Sequence, residues 1–443
     1  MKSTHLFNRR EALTAGAGIA IATVIPRHVL GKGQNPPSDT LNVAGIGIGG
    51  MGSHDIHEAA KDANIVAICD VDRRAVNRNA KSHPKAKHHT DFRKMLEAQK
   101  DIDAVMVATP DHNHAVAAMT AIKQGKHVFC QKPLTHSVHE ARMLGKAAEE
   151  AGVATQMGNQ GQAGEGARLL CETIRDGAIG TVREIHAGSN RFPPISARGV
   201  PRPKDTPPVP PELDWDLWLG PAPLRPYHPC YHPFHWRGWW DFGTGVLGDI
   251  GCHLLSASFK ALELGHPASV EACSSNQQCP PEIANETAPL SSVTRWKFPA
   301  EGDREPLSIT WWDGGLKPPR PDELEPGRKF AENDWLYIVG DKGKMLGHQL
   351  IPDAKAKQYG KPPQVLKRSP GHYKEWIIAC KGGPPAGSNF VDHAAHLAEV
   401  VLLGNIAIRA KQKLLWDGPN MRFTNSEEAN KLINPPYREG WAP

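Results

Sequence analysis

The stretch Leu41-Asn42-Val43-Ala44-Gly45-Ile46-Gly47-Ile48-Gly49-Gly50-Met51-Gly52 decides the fold. A short apolar run ends in a glycine-rich turn. A helical pattern follows from Ser53 to Lys61, then a second apolar run, Ile65-Val66-Ala67-Ile68-Cys69. Two buried strands separated by one helix read as a βαβ unit with parallel strands. The turn satisfies G-x-G-x-x-G. Gly47 makes the tight turn, Gly49 admits a pyrophosphate, Gly52 lets the helix approach the strand, and Gly50 and Met51 lie between them where the helix N-terminus faces the phosphates. Asp70 closes the second strand about 20 residues on, the offset of an acid that accepts ribose hydroxyl protons. A carboxylate there repels a 2′-phosphate, so NAD is expected over NADP, with Arg73 and Arg74 the residues able to reverse that preference.

Further along, Ala104 to Ala108 reads as a buried strand followed by Thr109-Pro110-Asp111-His112-Asn113-His114, and His127 to Cys130 as another followed by Gln131-Lys132-Pro133. Met157-Gly158-Asn159-Gln160 ends the alternation. Ligands of open α/β sheets bind at such carboxyl ends. In this order the glycine turn, the acid, the Thr-Pro-x-x-x-His loop and a Lys-Pro motif resemble the Gfo/Idh/MocA oxidoreductases, named for glucose–fructose oxidoreductase and inositol dehydrogenase. The resemblance runs from about Thr40 to the C-terminus. It implies that Thr109, Pro110, His114, Gln131, Lys132 and Asn159 join the turn and Asp70 around the cofactor. Gln131 stands where the family has glutamate; an amide still hydrogen-bonds a ribose hydroxyl but brings no charge.

Beyond residue 157 the alternation loosens. Gly180 to Ser189, Ala268 to Asn276, Ser291 to Phe298, Leu307 to Trp312 and Trp335 to Val339 look like strands, and 318–327 and 360–371 like surface loops. The expected architecture is an α/β Rossmann domain over 40–157 and a C-terminal α+β domain over 158–443 with a large, mostly antiparallel sheet. Val391 to Lys411 reads as an amphipathic scaffold helix. Within Asp241 to Ser256, Asp249 and His253 are four apart and share one helical face. By itself such a pair is an ordinary surface interaction of little worth. The family keeps an aspartate and a histidine at this spacing beside the lysine, which implies a catalytic set of Lys132, Asp249 and His253. His253 would be the general base, Asp249 its orienting or charge-stabilising partner, and Lys132 the donor to the reacting oxygen. Ser256 stands where relatives often carry an acid. Tyr231, His235, Trp236, Arg237, Trp239 and Trp240 form an aromatic segment suited to stacking on sugar C–H faces, though any single tryptophan reads better as packing, in the core or at an oligomer interface. No metal is expected: His112 and His114 are two apart, and prolines break up His228, Cys230, His232 and His235.

Composition excludes other classes. In 443 residues, 22% charged with a net +5 gives no nucleic-acid surface, and eight cysteines without a C-x-x-C pair give neither a zinc module nor a disulfide scaffold. No mature stretch reads as a bilayer span. The start differs in kind: Asn8-Arg9-Arg10-Glu11-Ala12-Leu13, then a Gly/Ala-rich apolar run to Ile25 and Pro26, has the layout of a secretory signal. The paired arginines resemble the twin-arginine export signal, which implies an address over 1–32, a linker over 33–39, export by that machinery as a folded protein, and a periplasmic or other extracytoplasmic location.

The expected function is hydride transfer between a hydroxyl-bearing carbon of a sugar, cyclitol or glycoside and NAD. Competing readings are a redox-neutral glycosidase, lyase or epimerase working through transient oxidation, a non-catalytic dinucleotide sensor, and an exported scaffold. A homo-oligomer is expected by resemblance. Export of a folded protein further implies tightly held NAD and a closed catalytic cycle.

Overall fold

A computed structural model describes residues 40–191 and 198–443. The expected export signal over 1–32 and linker over 33–39 lie outside the described residues. Six short strands, β1 (Asn42–Ile46), β2 (Asn64–Cys69), β3 (Lys87–His89), β4 (Ala104–Val107), β5 (His127–Cys130) and β6 (Thr155–Met157), form one sheet in the order β3-β2-β1-β4-β5-β6. Every pairing in it is parallel. β4 is buried along its whole length, as a strand covered by helices on both faces must be. Its neighbour β1 is where the order reverses, so the crevice for a ligand opens beyond the carboxyl ends of β1 and β4.

The second sheet has nine strands: β7 (Val182–Ser189), β8 (Ser269–Ser274), β9 (Ser292–Phe298), β10 (Leu307–Asp313), β11 (Asp334–Gly340), β12 (Lys344–Leu346), β13 (Gln349–Ile351), β14 (Leu414–Asp417) and β15 (Arg422–Phe423). Their order is β13-β12-β11-β7-β10-β9-β8-β14-β15. Only β7 and β10 run parallel; the other pairings are antiparallel. Strand alternation sets which face is covered: in β9, Trp296 and Phe298 are buried while Arg295 and Lys297 are exposed.

Two features correct the sequence reading. The helix expected to be amphipathic, Ala395–Ala410, is buried on nearly every side, because it packs on the Val138–Ala151 helix, on the Gly245–Leu262 helix and on β8 and β9 at once. A π-turn over Phe390–Ala394 leads into it. Together Phe390–Ala410 is long and apolar enough to cross a membrane, an 18-residue window of it having a mean hydropathy of 1.3, contrary to the expectation that no such stretch exists; 78% of that window is buried inside the fold, so its apolar side chains are core. The second feature is the His372–Cys380 helix. Although it comes late in the chain, its Trp376 and Ile377 pack with Val43, Ile56 and Phe129 and so complete one face of the first sheet.

Candidate active site

The glycine turn is shaped by what it cannot contain. A Cβ on Gly52 would stand 1.9 Å from the Gly47 carbonyl oxygen, and one on Gly47, whose φ is +76°, would stand 2.6 Å from the Thr109 nitrogen. The helix Gly50–Ala59 therefore starts hard against β1 and β4, with open space above Gly50 and Met51 half exposed at the lip. Asp70 Oδ2 accepts from the Gly49 amide at 3.1 Å and Oδ1 from the Asp72 amide at 2.9 Å. Burial pushes the Asp70 pKa up to about 6, with repulsion from Asp72 adding to it, against the pull of those amides. Arg73 and Arg74 are engaged elsewhere: Arg73 donates to Pro211 O at 2.5 Å, and Arg74 pairs with Asp72 at 2.7 Å. Thr109 Oγ1 and Asn159 Oδ1 are buried without a hydrogen-bond partner among the described residues. A bare-backbone turn, an acid behind it and two orphaned oxygens beside it fit a dinucleotide.

Two residues expected at the cofactor are committed to the protein. His114 lies between two backbone carbonyls, Pro133 O and Thr109 O, each 2.8 Å from a ring nitrogen, so it clamps the Thr109 loop to the Lys132 loop. Gln131 donates to Asp55 Oδ2 at 2.8 Å, and Tyr373 donates to Asp55 Oδ1 at 2.7 Å. Asp55 is fully buried in the helix after the glycine turn, and burial raises its pKa to about 6. A glutamate at 131 would set two carboxylates against each other. The amide is what Asp55 requires.

Lys132, at the carboxyl end of β5, hydrogen-bonds Asp249 across 117 residues of sequence. Arg237 adds a second cation, its Nε 3.5 Å from Asp249 Oδ1. Burial alone would raise the Asp249 pKa; the two cations outweigh it and hold the carboxyl well below the usual range. This corrects the expected Asp249–His253 pairing. The two do share a face of the Gly245–Leu262 helix, but the carboxylate turns to the cations, which offer charge-assisted hydrogen bonds in a desolvated site. His253 remains beside them with its pKa lowered to about 4, by burial first and the Lys132 charge second, and is neutral at pH 7. Ser256, on the next turn, accepts from Asn159 Nδ2 at 3.1 Å and meets His393 Nε2 at 2.8 Å, so a hydroxyl anchors the helix where relatives often carry an acid.

The aromatic segment divides. Arg237 is held by stacking, its guanidinium 4.4 Å from the Phe234 ring centre and 4.3 Å from that of Trp236. Tyr231, Trp239 and Trp240, expected as sugar platforms, are instead interior: Trp239 donates to Cys230 O and Trp240 to Ala284 O, both at 3.1 Å, and all three are less than 7% exposed. Trp236 is also buried beneath Arg237, and His235 is half-buried beside the exposed Phe234. Tyr231, Trp236 and Trp239 cover one another together with Trp218 and Phe242, whereas Trp240 belongs to the main core beside residues of the second sheet.

Four participants, Asp111, Arg191, Asp334 and Asp55, went unread in the sequence. Asp111, in the quoted Thr109–His114 loop, is buried and accepts from Thr244 Oγ1 at 2.6 Å; burial raises its pKa to about 7, and Arg237 and Lys132 are the nearest opposing cations. Thr244 caps the helix that carries Asp249, so this bond fixes that helix to the Rossmann half. Arg191 and Asp334, at the ends of β7 and β11, pair at 2.6 Å close to His253. Asp55 had a visible signal, a carboxylate between Ile56 and Gly52 on the buried face of its helix; strand-end partners such as Arg191 and Asp334 had none.

A parallel-sheet cradle for a dinucleotide, joined to an antiparallel sheet domain that sets a lysine–aspartate pair at its mouth, defines a class of two-part NAD-binding proteins. The sequence matches the oxidoreductase family with an NAD-binding Rossmann fold over residues 41–159 and its C-terminal alpha/beta domain over 202–283 and 327–443. The chain belongs to the Gfo/Idh/MocA oxidoreductase family. Among curated relatives, 1,5-anhydro-D-fructose reductase of Ensifer adhaerens is 29% identical over 36% of this chain and 37% of its own, and inositol 2-dehydrogenase of Rubrobacter xylanophilus is 28% identical over 37% and 48%. The 2,7-anhydro-N-acetylneuraminate hydratase of Escherichia coli is 35% identical over 21% and 26%. This chain thus spans less than half the length of these relatives. Among solved structures, the WlbA dehydrogenase of Bordetella pertussis in complex with NADH and UDP-GlcNAcA superposes with a TM-score of 0.59 at 17% identity, covering 85% of this chain and 98% of that one. The myo-inositol dehydrogenase of Lactobacillus casei in complex with NAD(H) and myo-inositol gives 0.56 at 17%, covering 85% and 97%. At these identities the superpositions show the fold.

Proposed function

We propose that this protein oxidises or reduces a hydroxyl-bearing carbon of a sugar, cyclitol or glycoside with NAD. The observation that carries the reading is the Lys132–Asp249 pair, assembled from two distant segments at the mouth of the dinucleotide cradle. Bound NAD supplies the hydride acceptor or donor. The backbone of the Gly47–Gly52 turn receives the pyrophosphate, and Asp70 accepts from the adenosine ribose. Lys132, held in place by Asp249, donates to the substrate oxygen and stabilises it as its proton leaves. Neutral His253 takes that proton; Arg237 positions the substrate from its stacked place over Trp236. Asp111 acts through Thr244 as a positioning residue. Occupation of Arg73 and Arg74 by Pro211 and Asp72 supports NAD over NADP.

A second reading draws support from the hydratase relative: the substrate is oxidised, altered at the neighbouring carbon and reduced again on one retained NAD. An export signal at Arg9 and Arg10 would suit it, because a protein loaded in the cytoplasm and moved to the periplasm needs a closed cycle. Homo-oligomers remain part of the proposal through family membership. The test is mass spectrometry of nucleotide released from dialysed protein, followed by incubation with sugars, cyclitols and glycosides, with and without added NAD. Turnover of a glycoside with no net change in NAD selects the second reading; turnover only with stoichiometric NAD selects the first; neither nucleotide binding nor turnover overturns both.

A further inference from the structure

We propose that His266, His396 and Glu399 form a binding site for a divalent transition cation of the zinc type, away from the dinucleotide cradle. His396 and Glu399 are three apart on the first turn of the Ala395–Ala410 helix and so share a face. His266 comes from the loop between the Gly245–Leu262 helix and β8. One ligand atom from each lies within 4.8 Å of the others, and His266 Nδ1 is 3.0 Å from Glu399 Oε1. The two imidazoles meet edge to face, their centres 4.9 Å apart.

The surroundings have the form of an outer ligand shell. His396 Nε2 faces Leu264 O at 2.9 Å and Gly265 O at 3.0 Å, so its proton sits there and the Nδ1 lone pair is left for a cation. Arg142 fixes Glu399 with hydrogen bonds of 2.7 and 2.9 Å, one to each oxygen, and each oxygen keeps a further lone pair. Tetrahedral zinc with bonds of about 2.0–2.2 Å needs ligand atoms about 3.3 Å apart. The His266 side chain is 35% exposed, while its Nδ1 is buried without a hydrogen-bond partner among the described residues, which leaves that nitrogen for a cation after a small approach of the three side chains. Two imidazoles with one carboxylate favour zinc, cobalt or nickel over calcium or magnesium. The Arg142 charge opposes a cation, which sets the affinity below that of a site without it. Bound there, the ion ties the central helix to the loop that enters β8.

The experiment uses tagless full-length protein, stripped with chelator and titrated with zinc against a chromophoric competitor, then with cobalt to read its visible absorption. The wild type is expected to bind one equivalent, with a cobalt spectrum of nitrogen ligation and a raised thermal midpoint. His266→Ala and His396→Ala should each weaken binding at least tenfold and lose the cobalt spectrum. With 22 histidines in the chain, zinc binding alone decides nothing, so the variants carry the comparison. Equal binding by wild type and both variants, or no one-to-one binding by the wild type, overturns the proposal and leaves Arg142–Glu399–His266 as an ion-pair cluster. Should one variant fail to fold, the other variant and the wild-type cobalt spectrum still decide.

Discussion

The glycine turn and the lysine–aspartate centre lie at the mouth of one crevice but are built in opposite ways. Gly47, Gly49, Gly52 and Asp70 fall within one βαβ unit, and their places follow from backbone geometry that short-range sequence dictates. Lys132, Arg237 and the helix that carries Asp249 and His253 are three separate segments, and their pairing follows from how buried charges find partners. The first tolerates no added atom at Gly47 or Gly52; the second should tolerate shape changes and fail on loss of charge.

The sharpest break between the two is Lys132→Met, which removes the charge and leaves the turn intact. A loss of about 10²–10⁴ in kcat is expected, with NAD affinity retained, as measured by steady-state kinetics and calorimetric titration. Near-wild-type turnover on a verified substrate would remove Lys132 from the chemistry.

Next in size is Trp239→Ala, a cavity in the aromatic cluster behind Arg237. It should cost about 3–5 kcal/mol of stability in denaturant unfolding. If the substrate KM rises with no loss of stability, Trp239 touches substrate and the core assignment fails.

Asp70→Ser probes the locally built region. Loss of charge-assisted hydrogen bonds of about 1.5–3 kcal/mol should weaken NAD roughly 10- to 100-fold and narrow the gap to NADP. The Asp70 pKa of about 6 adds a sign: NAD should bind the wild type less tightly at pH 5 than at pH 7.5, because the protonated carboxyl has lost its charge, and the variant should lack this dependence. Tighter NADP binding by the wild type would mean that Arg73 and Arg74 leave their present partners.

The smallest effect expected is Gln131→Glu, which places a second carboxylate against Asp55. The cost should be about 1–3 kcal/mol at pH 8 and less at pH 5. The folded pair holds a proton that the unfolded chain releases near pH 4, so stability declines as pH rises through the raised pKa. Thermal midpoints at the two pH values check it; equal losses at both would show that charge is not the cause.

Much of the fold was legible because its signals are periodic and local. β1, β2, β4 and β5 fall where apolar runs meet turns, and β7 to β11 lie within the stretches rich in β-branched and aromatic residues. The Ala395–Ala410 helix was misread because its few polar positions suggested a wet face, whereas Asn405 and Glu399 are buried and satisfied by Thr244 O and Arg142. Spacing likewise paired Asp249 with His253 correctly in direction and wrongly in partner.

By itself the sequence determined the parallel cradle, the position of its acid and the segments that reach its mouth, since strand period, helix period and the glycine turn act over a few residues. Only the tertiary structure decided that Asp249 serves Lys132 and Arg237, that Gln131 answers Asp55, that Asp111 holds Thr244, and that Trp239 and Trp240 face inward. Those outcomes depend on which charges and rings are desolvated together, a property of residues brought together by the fold, across 76 positions for Gln131 and Asp55 and more than a hundred for Lys132 with Asp249 and Asp111 with Thr244.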